Sequence, residues 1–185
     1  MVARRPLFAA LVGLVAAQRL GEVRTSRRHE AALVARGATV HAQGQVPVVV
    51  ALHGAWLASS LAEGWARLRR PAPPARVALG LGGLALGHGL RLASVRALGV
   101  RRTAGVVTLS GAPRVRTGVY RHLRHPNYLG VAVEVAALPA VAGAWRTAAV
   151  FSALNAAFLR ARIRAEDAAL DAAEAAGTEA PGAGR

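Results

Sequence analysis

The chain has 185 residues, enough for one domain, and it carries a formal net charge of +15 from 24 basic and 9 acidic residues. It is 54% hydrophobic and 18% charged, whereas a typical soluble domain has about 25% charged residues. The arginines lie between long apolar blocks, a pattern typical of loops beside membrane helices, and this disfavours a nucleic-acid-binding protein. Because the chain has no cysteine, disulfides, thiolate metal sites and cysteine nucleophiles are excluded.

Two apolar blocks and a charged stretch fill the N-terminal part of the chain. The first block, Pro6 to Leu20, is interpreted as a retained membrane helix rather than a signal peptide, because no small-residue cleavage site follows it. The charged stretch 21–45 predicts an amphipathic helix on the membrane surface that ends near Gly37. The second block, Val46 to Trp65, predicts a membrane helix, which a proline-rich turn terminates.

The third apolar block, Val77 to Leu98, is rich in glycine. Its glycines are Gly80, Gly82, Gly83, Gly87 and Gly89. A dinucleotide-binding loop requires a preceding strand and a phosphate-cradling turn, which this apolar run does not offer. The glycines therefore predict close packing between membrane helices.

The C-terminal part of the chain begins with an Arg-rich segment, 99–124, that contains a β-prone piece at 106–109. Two apolar helices follow, from about Pro126 to Val141 and from about Trp145 to Arg164, and the tail from 171 is predicted to be disordered. These elements predict an all-α fold, a polytopic membrane helical bundle of about 4–5 transmembrane helices. We expect its pocket between the C-terminal helices.

The densest cluster of polar residues runs from 118 to 128. Pro126 disfavours helical backbone at His125 and suits the first position of the next helix. The backbone N–H groups of the three residues after Pro126 would then be free. Beside Arg124 and His125 they predict an anion site, fit for the carboxylate of an amino-acid-like ligand. The alternative is an ordinary loop-to-helix junction that contacts lipid headgroups.

The two C-terminal helices each carry one polar face. Glu134 is a carboxylate within an apolar helix, which is costly unless it faces a polar cavity or a partner such as an arginine. Asn155, Arg162 and Glu166 are spaced by seven and four residues and so share one helix face. We expect the two faces to form a shared cavity in which Glu134, Asn155 and Arg162 contact a substrate. A solvated helix end is the alternative interpretation of Arg162 and Glu166.

Other polar residues give weaker signals. His53 in the second block is interpreted as a buried, hydrogen-bonded histidine rather than a ligand. No group of His, Asp and Glu residues has the spacing of a metal site, so no metal is predicted. The serines lack the sequence context of a nucleophile elbow.

In this order the motifs resemble the C-terminal signature of the isoprenylcysteine carboxyl methyltransferase family. The motifs are Gly118-Val119-Tyr120, Arg124-His125-Pro126-Asn127-Tyr128, an apolar helical hairpin, and Arg162-Ile163-Arg164-Ala165-Glu166-Asp167. The resemblance implies one membrane domain, 1–170, with N-terminal helices at 1–76, a methyltransferase core at 77–170 and a tail at 171–185. The N-terminal half is similar to a bacterial branch whose members include alkylpyrone and alkylresorcinol O-methyltransferases. The residues that carry this similarity are Arg19, Glu22, Arg36-Gly37-Ala38, Pro47, His53 and Trp56.

The resemblance also implies a cofactor and site roles. The cofactor is S-adenosylmethionine, and the implied contacts with it are Tyr120, His125, Pro126, Asn127, Tyr128 and Glu166. Arg162 matches the arginine that faces the methyl acceptor and is the implied catalytic residue. The family often has a second glutamate where this chain has Asp167, a departure that bears on the acceptor more than on the cofactor.

The implied activity is methyl transfer to an oxygen, a carboxylate or an enol or phenol, of a lipophilic acceptor. The alternatives are a phospholipid N-methyltransferase-like enzyme and a non-catalytic membrane scaffold of the same fold. The expected partners are a lipophilic small molecule and membrane lipids, with no nucleic acid. The expected location is a bacterial cytoplasmic membrane, with the cofactor site facing the cytoplasm.

Overall fold

The computed structural model describes residues 4–69 and 71–178. Over these residues the chain forms five α-helices: α1 Arg4–Val34, α2 Gln45–Arg67, α3 Pro74–Leu98, α4 Pro126–Ala142 and α5 Trp145–Thr178. Single 3₁₀ turns lie at Gly99–Arg101 and Gly118–Arg121, and a short antiparallel pair joins β1 Thr39–His41 to β2 Val106–Thr108. The predicted all-α fold is confirmed.

Several of the helices suit a bilayer. In the described part of the chain, three helical segments are long and apolar enough to cross a membrane: α1, α2 and α3 with its following turn, Pro74–Arg101. α4 is apolar but shorter, with 17 residues. Large apolar side chains such as Leu14 and Leu79 are exposed on these helices. Such exposure is expected of lipid-facing surfaces, so the bundle is that of a polytopic membrane protein.

α1 runs without a break from Arg4 to Val34, whereas the sequence predicts a membrane helix and a separate surface helix. Its one proline, Pro6, lies in the first turn, which tolerates proline, and contacts with the loop after α3 hold its second half in line. The buried Ser26 hydroxyl accepts a hydrogen bond from the Ala104 N–H at 2.5 Å, and His29 Nδ1 lies 2.9 Å from the Arg102 carbonyl oxygen. After α1, Gly37 has a φ of 83°, which turns the chain into β1.

α3 and α4 pack closely through glycines. A Cβ on Gly87 would lie 2.6 Å from Glu134 Cγ and 2.8 Å from the Gly130 carbonyl oxygen, and one on Gly130 would lie 2.6 Å from Arg91 Cγ. Because no side chain fits at either position, the two backbones approach each other closely, as small residues allow in membranes. Gly80 and Gly83 continue this stripe along α3, whereas Gly82 and Gly89 face open space. The predicted glycine packing is thus confirmed at three of the five glycines.

The apolar core lies where α1, α2 and α4 meet. Trp56 is buried there and its indole N–H donates a hydrogen bond to the Val135 carbonyl oxygen at 3.0 Å. Phe8, Val12 and Leu138 belong to the same buried cluster. This apolar cluster thus packs the N-terminal helices against residues 77–170, the predicted methyltransferase core.

The helical hairpin turns at Gly143, which ends α4 in the left-handed region with a φ of 74°. Pro139 lies within the last turn of α4 and does not end the helix. The first turn of α5 is capped from α2, because Glu63 Oε2 accepts hydrogen bonds from the Thr147 N–H at 2.9 Å and from its hydroxyl at 2.8 Å. This contact fixes α5 against α2.

α5 continues to Thr178, so residues 171–178 are helical where the sequence predicts the start of a disordered tail. Three carboxylates spaced along one face of α5 explain the extension. Arg114 pairs with Asp167 at 3.1 Å, Asp171 at 2.5 Å and Glu174 at 3.6 Å. The loop before α4 therefore lies along the end of α5, and the rest of the predicted tail, 179–185, is outside the described residues.

The glycine stripe predicts a difference between two Gly→Ala variants of α3. Gly87→Ala should lower the melting temperature in detergent, because over-packing at such a contact costs about 1–3 kcal/mol. Gly82→Ala, at a position open to the surroundings, is the matched control and should leave the melting temperature unchanged or raise it. Equal melting temperatures for Gly87→Ala and the wild type would contradict the close helix approach.

Candidate active site

Two cavities lie side by side in the bundle. The bundle cavity, of about 320 Å³, is bordered by α1 to α5 and by the loop after α3, and its apolar walls include Leu57, Val131 and Phe158. The loop cavity, of about 490 Å³, is bordered by the segments 33–38 and 98–125, α4 and α5. Both volumes lie within the range of small-molecule sites. Four residues line both cavities, so the cavities meet there: Arg102, Thr103, Asn127 and Tyr128.

The loop cavity gathers most of the predicted cofactor residues. Its lining includes Tyr120, His125, Asn127, Tyr128 and Glu166. Pro126 does not line it; this residue is buried and forms the first position of α4. Among the described lining residues, Glu166 is the single carboxylate, and it faces a basic set of side chains: Arg36, Arg101, Arg102, Arg114 and Arg124. A ligand with both an anionic and a cationic group suits this distribution of charge.

Tyr128 connects the two cavities chemically. Its hydroxyl donates a hydrogen bond to Glu166 Oε2 and accepts one from Arg162 Nε at 2.9 Å. Its ring stacks on the His125 ring, with centroids 5.6 Å apart and an interplanar angle of 21°. One side chain therefore couples a predicted cofactor contact to the predicted catalytic arginine.

Arg162 is 5% exposed and lines the bundle cavity. It donates hydrogen bonds to Gln45 Oε1 at 3.2 Å and to the Ala104 carbonyl oxygen. None of the described carboxylates lies within ion-pair distance of its guanidinium. Since these partners fix the side chain but leave its charge without a direct counter-ion, Arg162 is suited to hold an anionic group in the cavity.

Besides the guanidinium Nε atoms of Arg19 and Arg91, three buried polar atoms in residues that line the bundle cavity have no hydrogen-bond partner in the described structure. They are His53 Nε2, Asn127 Oδ1 and Asn155 Oδ1. A buried polar atom without a partner costs about 1–3 kcal/mol, so the three atoms indicate that the cavity takes a ligand with polar groups. The sequence predicts Asn155 at the site, whereas it favours a buried, hydrogen-bonded histidine rather than a ligand at His53, which lies on another helix.

Glu134 lines neither cavity and instead belongs to a buried ion cluster. It accepts hydrogen bonds from Arg19 and, at 2.7 Å, from Arg91. Arg91 also binds Glu22, which accepts a further hydrogen bond from Arg102 at 3.2 Å. Apart from Glu134, these residues line the bundle cavity. Of the two alternatives that the sequence left open for Glu134, a polar cavity or an arginine partner, the structure shows arginine partners. Glu134 holds the two guanidinium groups of Arg19 and Arg91, which border the bundle cavity.

The start of α4 differs in detail from the predicted anion site. The N–H groups of Tyr128 and Leu129 both donate to the His125 carbonyl oxygen at 3.1 Å. In the described structure, Asn127 is therefore the one of the three residues after Pro126 whose backbone N–H has no such partner. The reason is that His125 is the N-cap residue of α4, and the carbonyl oxygen of an N-cap residue already accepts the first hydrogen bonds of the helix.

Two titratable groups beside the loop cavity are perturbed. Burial, reinforced by the charge of Glu166, raises the pKa of Tyr120 to about 12, so this phenol stays neutral and can donate a hydrogen bond. Burial opposes ionisation of Asp167, but the charge of His125 and a hydrogen bond from Arg114 outweigh it and lower the pKa of this carboxyl group. Over residues 4–69 and 71–178, no group of three or more His, Asp and Glu residues is placed to hold a metal ion.

The fold and the joined cavities define a class: membrane-embedded helical proteins with two adjoining internal cavities. The chain belongs to the isoprenylcysteine carboxyl methyltransferase family, whose model matches residues 78–172, just over half of the chain. It is therefore a membrane methyltransferase of the isoprenylcysteine carboxyl methyltransferase kind. It is also similar to YpbQ, an uncharacterized protein of Bacillus subtilis (strain 168), with 29% identity over 89% of this chain and 96% of that relative. No solved structure matches the chain.

The matched family region contains most of the loop cavity and Arg162, but α1 and α2 precede it. Arg19, Glu22 and His53 in the bundle cavity therefore come from outside the family model. The similarity to YpbQ covers most of the chain and so extends beyond the matched region. The bundle cavity is thus formed by the family core together with the N-terminal helices.

The ion cluster predicts that Glu134 is more important for stability than an exposed ion pair. Glu134→Gln should lower the free energy of unfolding by about 3–5 kcal/mol, because Arg19 and Arg91 would stay buried without a carboxylate. Arg67→Ala breaks the exposed pair with Glu63, 3.4 Å apart, and should cost less than about 1 kcal/mol. Chemical denaturation in detergent micelles measures both, and equal effects would contradict a stabilising role for the cluster.

Proposed function

We propose that this protein is an S-adenosylmethionine-dependent O-methyltransferase that transfers a methyl group to a carboxylate or to an enol or phenol oxygen of a lipophilic acceptor. The observation that carries the proposal is the meeting of the two cavities at Asn127 and Tyr128. One cavity is basic with a single described carboxylate, and the other is largely apolar. A polar cofactor and a lipid-like acceptor would each find a chemically matched space.

The residues of the loop cavity fit S-adenosylmethionine. When bound, this cofactor supplies a methyl group on a positively charged sulfur. Glu166 and the unpaired Asn127 Oδ1 offer negative or partly negative oxygens to its cationic groups. The arginines of the cavity offer donors to its carboxylate, and Tyr120 and His125 offer aromatic faces to its base or sulfonium.

The residues of the bundle cavity fit an acceptor with a polar head and an apolar body. Arg162 would hold the head as an anion, and Asn155 Oδ1, which has no hydrogen-bond partner in the described structure, would accept a hydrogen bond from a hydroxyl group of the acceptor. The apolar body would lie along side chains such as Leu57 and Val131. Placing the acceptor oxygen in a buried cavity excludes water, and correct alignment alone supplies several kcal/mol of the reduction in barrier.

Tyr128 contributes by position. Its hydroxyl holds Arg162 Nε and Glu166 at once, so the groups that would contact the acceptor and the cofactor keep a fixed relation to each other. Glu134 supports the site indirectly, through Arg19 and Arg91. The arginines around the loop cavity favour the cytoplasmic face for this end of the bundle, under the positive-inside rule.

The proposal predicts cofactor binding that depends on Glu166. Purified protein in detergent should bind S-adenosylhomocysteine, and Glu166→Gln should weaken that binding about tenfold or more, because a charge-assisted hydrogen bond is lost. Glu30→Gln, which removes a carboxylate outside both cavities, is the matched control. Isothermal titration calorimetry measures the affinities. No heat with the wild type at millimolar ligand would overturn the cofactor assignment.

A second prediction separates Arg162 from the cofactor residues. Arg162→Ala should reduce kcat/KM for methyl transfer about 100-fold, through lost alignment of the acceptor, while S-adenosylhomocysteine affinity changes by less than about threefold. The assay incubates the enzyme with cofactor and membrane lipid extracts, and mass spectrometry detects lipids heavier by one methylene. Wild-type turnover in the variant would remove Arg162 from the site.

A further inference from the structure

The hydrogen bonding of His53 fixes which ring nitrogen is available. Nδ1 lies 2.8 Å from the carbonyl oxygen of Val49, one helical turn earlier on α2. A carbonyl oxygen only accepts hydrogen bonds, so in the neutral ring the proton is on Nδ1. Nε2 therefore presents a lone pair and acts as a hydrogen-bond acceptor.

The surroundings of His53 bring its ring to the wall of the bundle cavity. Nε2 is buried and has no hydrogen-bond partner in the described structure, and the residue lines the cavity together with Asn155 and Arg162. The ring also packs edge-on against Trp56, with centroids 5.9 Å apart at an interplanar angle of 86°. Because Trp56 is fixed by its bond to Val135, the imidazole is held on two sides. A fixed, unpaired acceptor atom indicates a ligand that donates a hydrogen bond.

We propose that His53 Nε2 accepts the proton of a hydroxyl-bearing methyl acceptor, an enol or a phenol. This inference rests on the proposed function and narrows it. As the acceptor oxygen forms its bond to the methyl group, the methyl–sulfur bond breaks and its electron pair stays on sulfur. The hydroxyl proton moves to Nε2 and later leaves to water. His53 is then a catalytic base that touches the acceptor directly.

This assignment distinguishes a hydroxyl from a carboxylate. A neutral hydroxyl donates to the Nε2 lone pair, whereas an ionised carboxylate has only lone pairs and would be repelled at that position. Arg162 complements the base, because its positive charge stabilises the oxyanion that forms as the proton leaves. His53 comes from α2 and Arg162 from α5. The choice of acceptor would therefore depend on how the N-terminal helices pack against the region that the family model matches.

Charged and titratable groups from every neighbouring element share the cavity with His53. They are Arg19 and Glu22 from α1, Arg91 from α3, Arg102 from the following loop, Tyr128 from α4 and Arg162 from α5. The pH dependence of turnover will contain contributions from these groups. For this reason the test compares variants at position 53 under one set of conditions.

The first test measures binding and needs no turnover. The probes are a long-chain alkylphenol and a fatty acid of equal chain length, titrated into detergent-purified protein. His53→Asn retains a donor toward Val49 and removes the acceptor at Nε2, so alkylphenol binding should weaken about five- to tenfold, with fatty-acid binding unchanged. His122→Asn changes an exposed histidine outside both cavities and is the matched control.

The second test separates hydrogen bonding from proton transfer. His53→Gln places an amide oxygen near the Nε2 position, so alkylphenol binding should persist, while methyl transfer to the alkylphenol falls about 100-fold at neutral pH. The rate should recover as the pH approaches the ionisation of the phenol itself, near pH 10. Recovery at high pH is not expected of a variant that has merely lost structure.

The outcomes separate the two proposals. Wild-type protein that binds no S-adenosylhomocysteine would overturn the proposed function. With cofactor binding intact, three results would each overturn the role of His53 alone: no alkylphenol binding by the wild type, equal effects of His53→Asn on both probes, or a His53→Gln variant that transfers methyl groups at the wild-type rate.

Discussion

The close crossing of α3 and α4 at Gly87 and Gly130 is the constraint on which the site depends. Each glycine leaves room for the side chain opposite it: Glu134 lies over Gly87 and Arg91 over Gly130. The same lack of side chains that lets the backbones meet thus brings a carboxylate and a guanidinium to 2.7 Å. In an apolar bundle an unpaired charge would be far more costly, so the crossing and the ion pair require each other.

The arrangement of the elements that border the two cavities follows from this crossing. Arg19 and Glu22 join the cluster from α1, so the N-terminal helix is fixed on the family core by charge as well as by the apolar contacts of Phe8 and Trp56. Arg102 carries the cluster to the loop after α3, and that loop borders both cavities. The position of each cavity wall is therefore tied to one buried network, and α5 completes the enclosure through Arg162 and Glu166.

Sequence reasoning succeeded where the information is local. It predicts α2 and α3 within a few residues, and the segment from Tyr120 to Tyr128 reaches one cavity because it is a single short stretch next to a helix start. It could not predict that Arg19 pairs with Glu134, 115 residues away, or that the lone His53 on α2 would face the cavity, since both depend on helix packing. β1, Thr39–His41, was not predicted because three residues are too few to show the alternating pattern of a strand. They form a strand only by pairing with β2.

The shared wall at Tyr128 has a thermodynamic consequence. Its ring borders both cavities and its hydroxyl bridges Glu166 and Arg162, so a ligand that shifts this side chain from one cavity changes the other. By linkage, any factor by which one ligand alters the affinity for its neighbour must act equally in the reverse direction. Any cooperativity between ligands in the two cavities would therefore act through a single phenol ring.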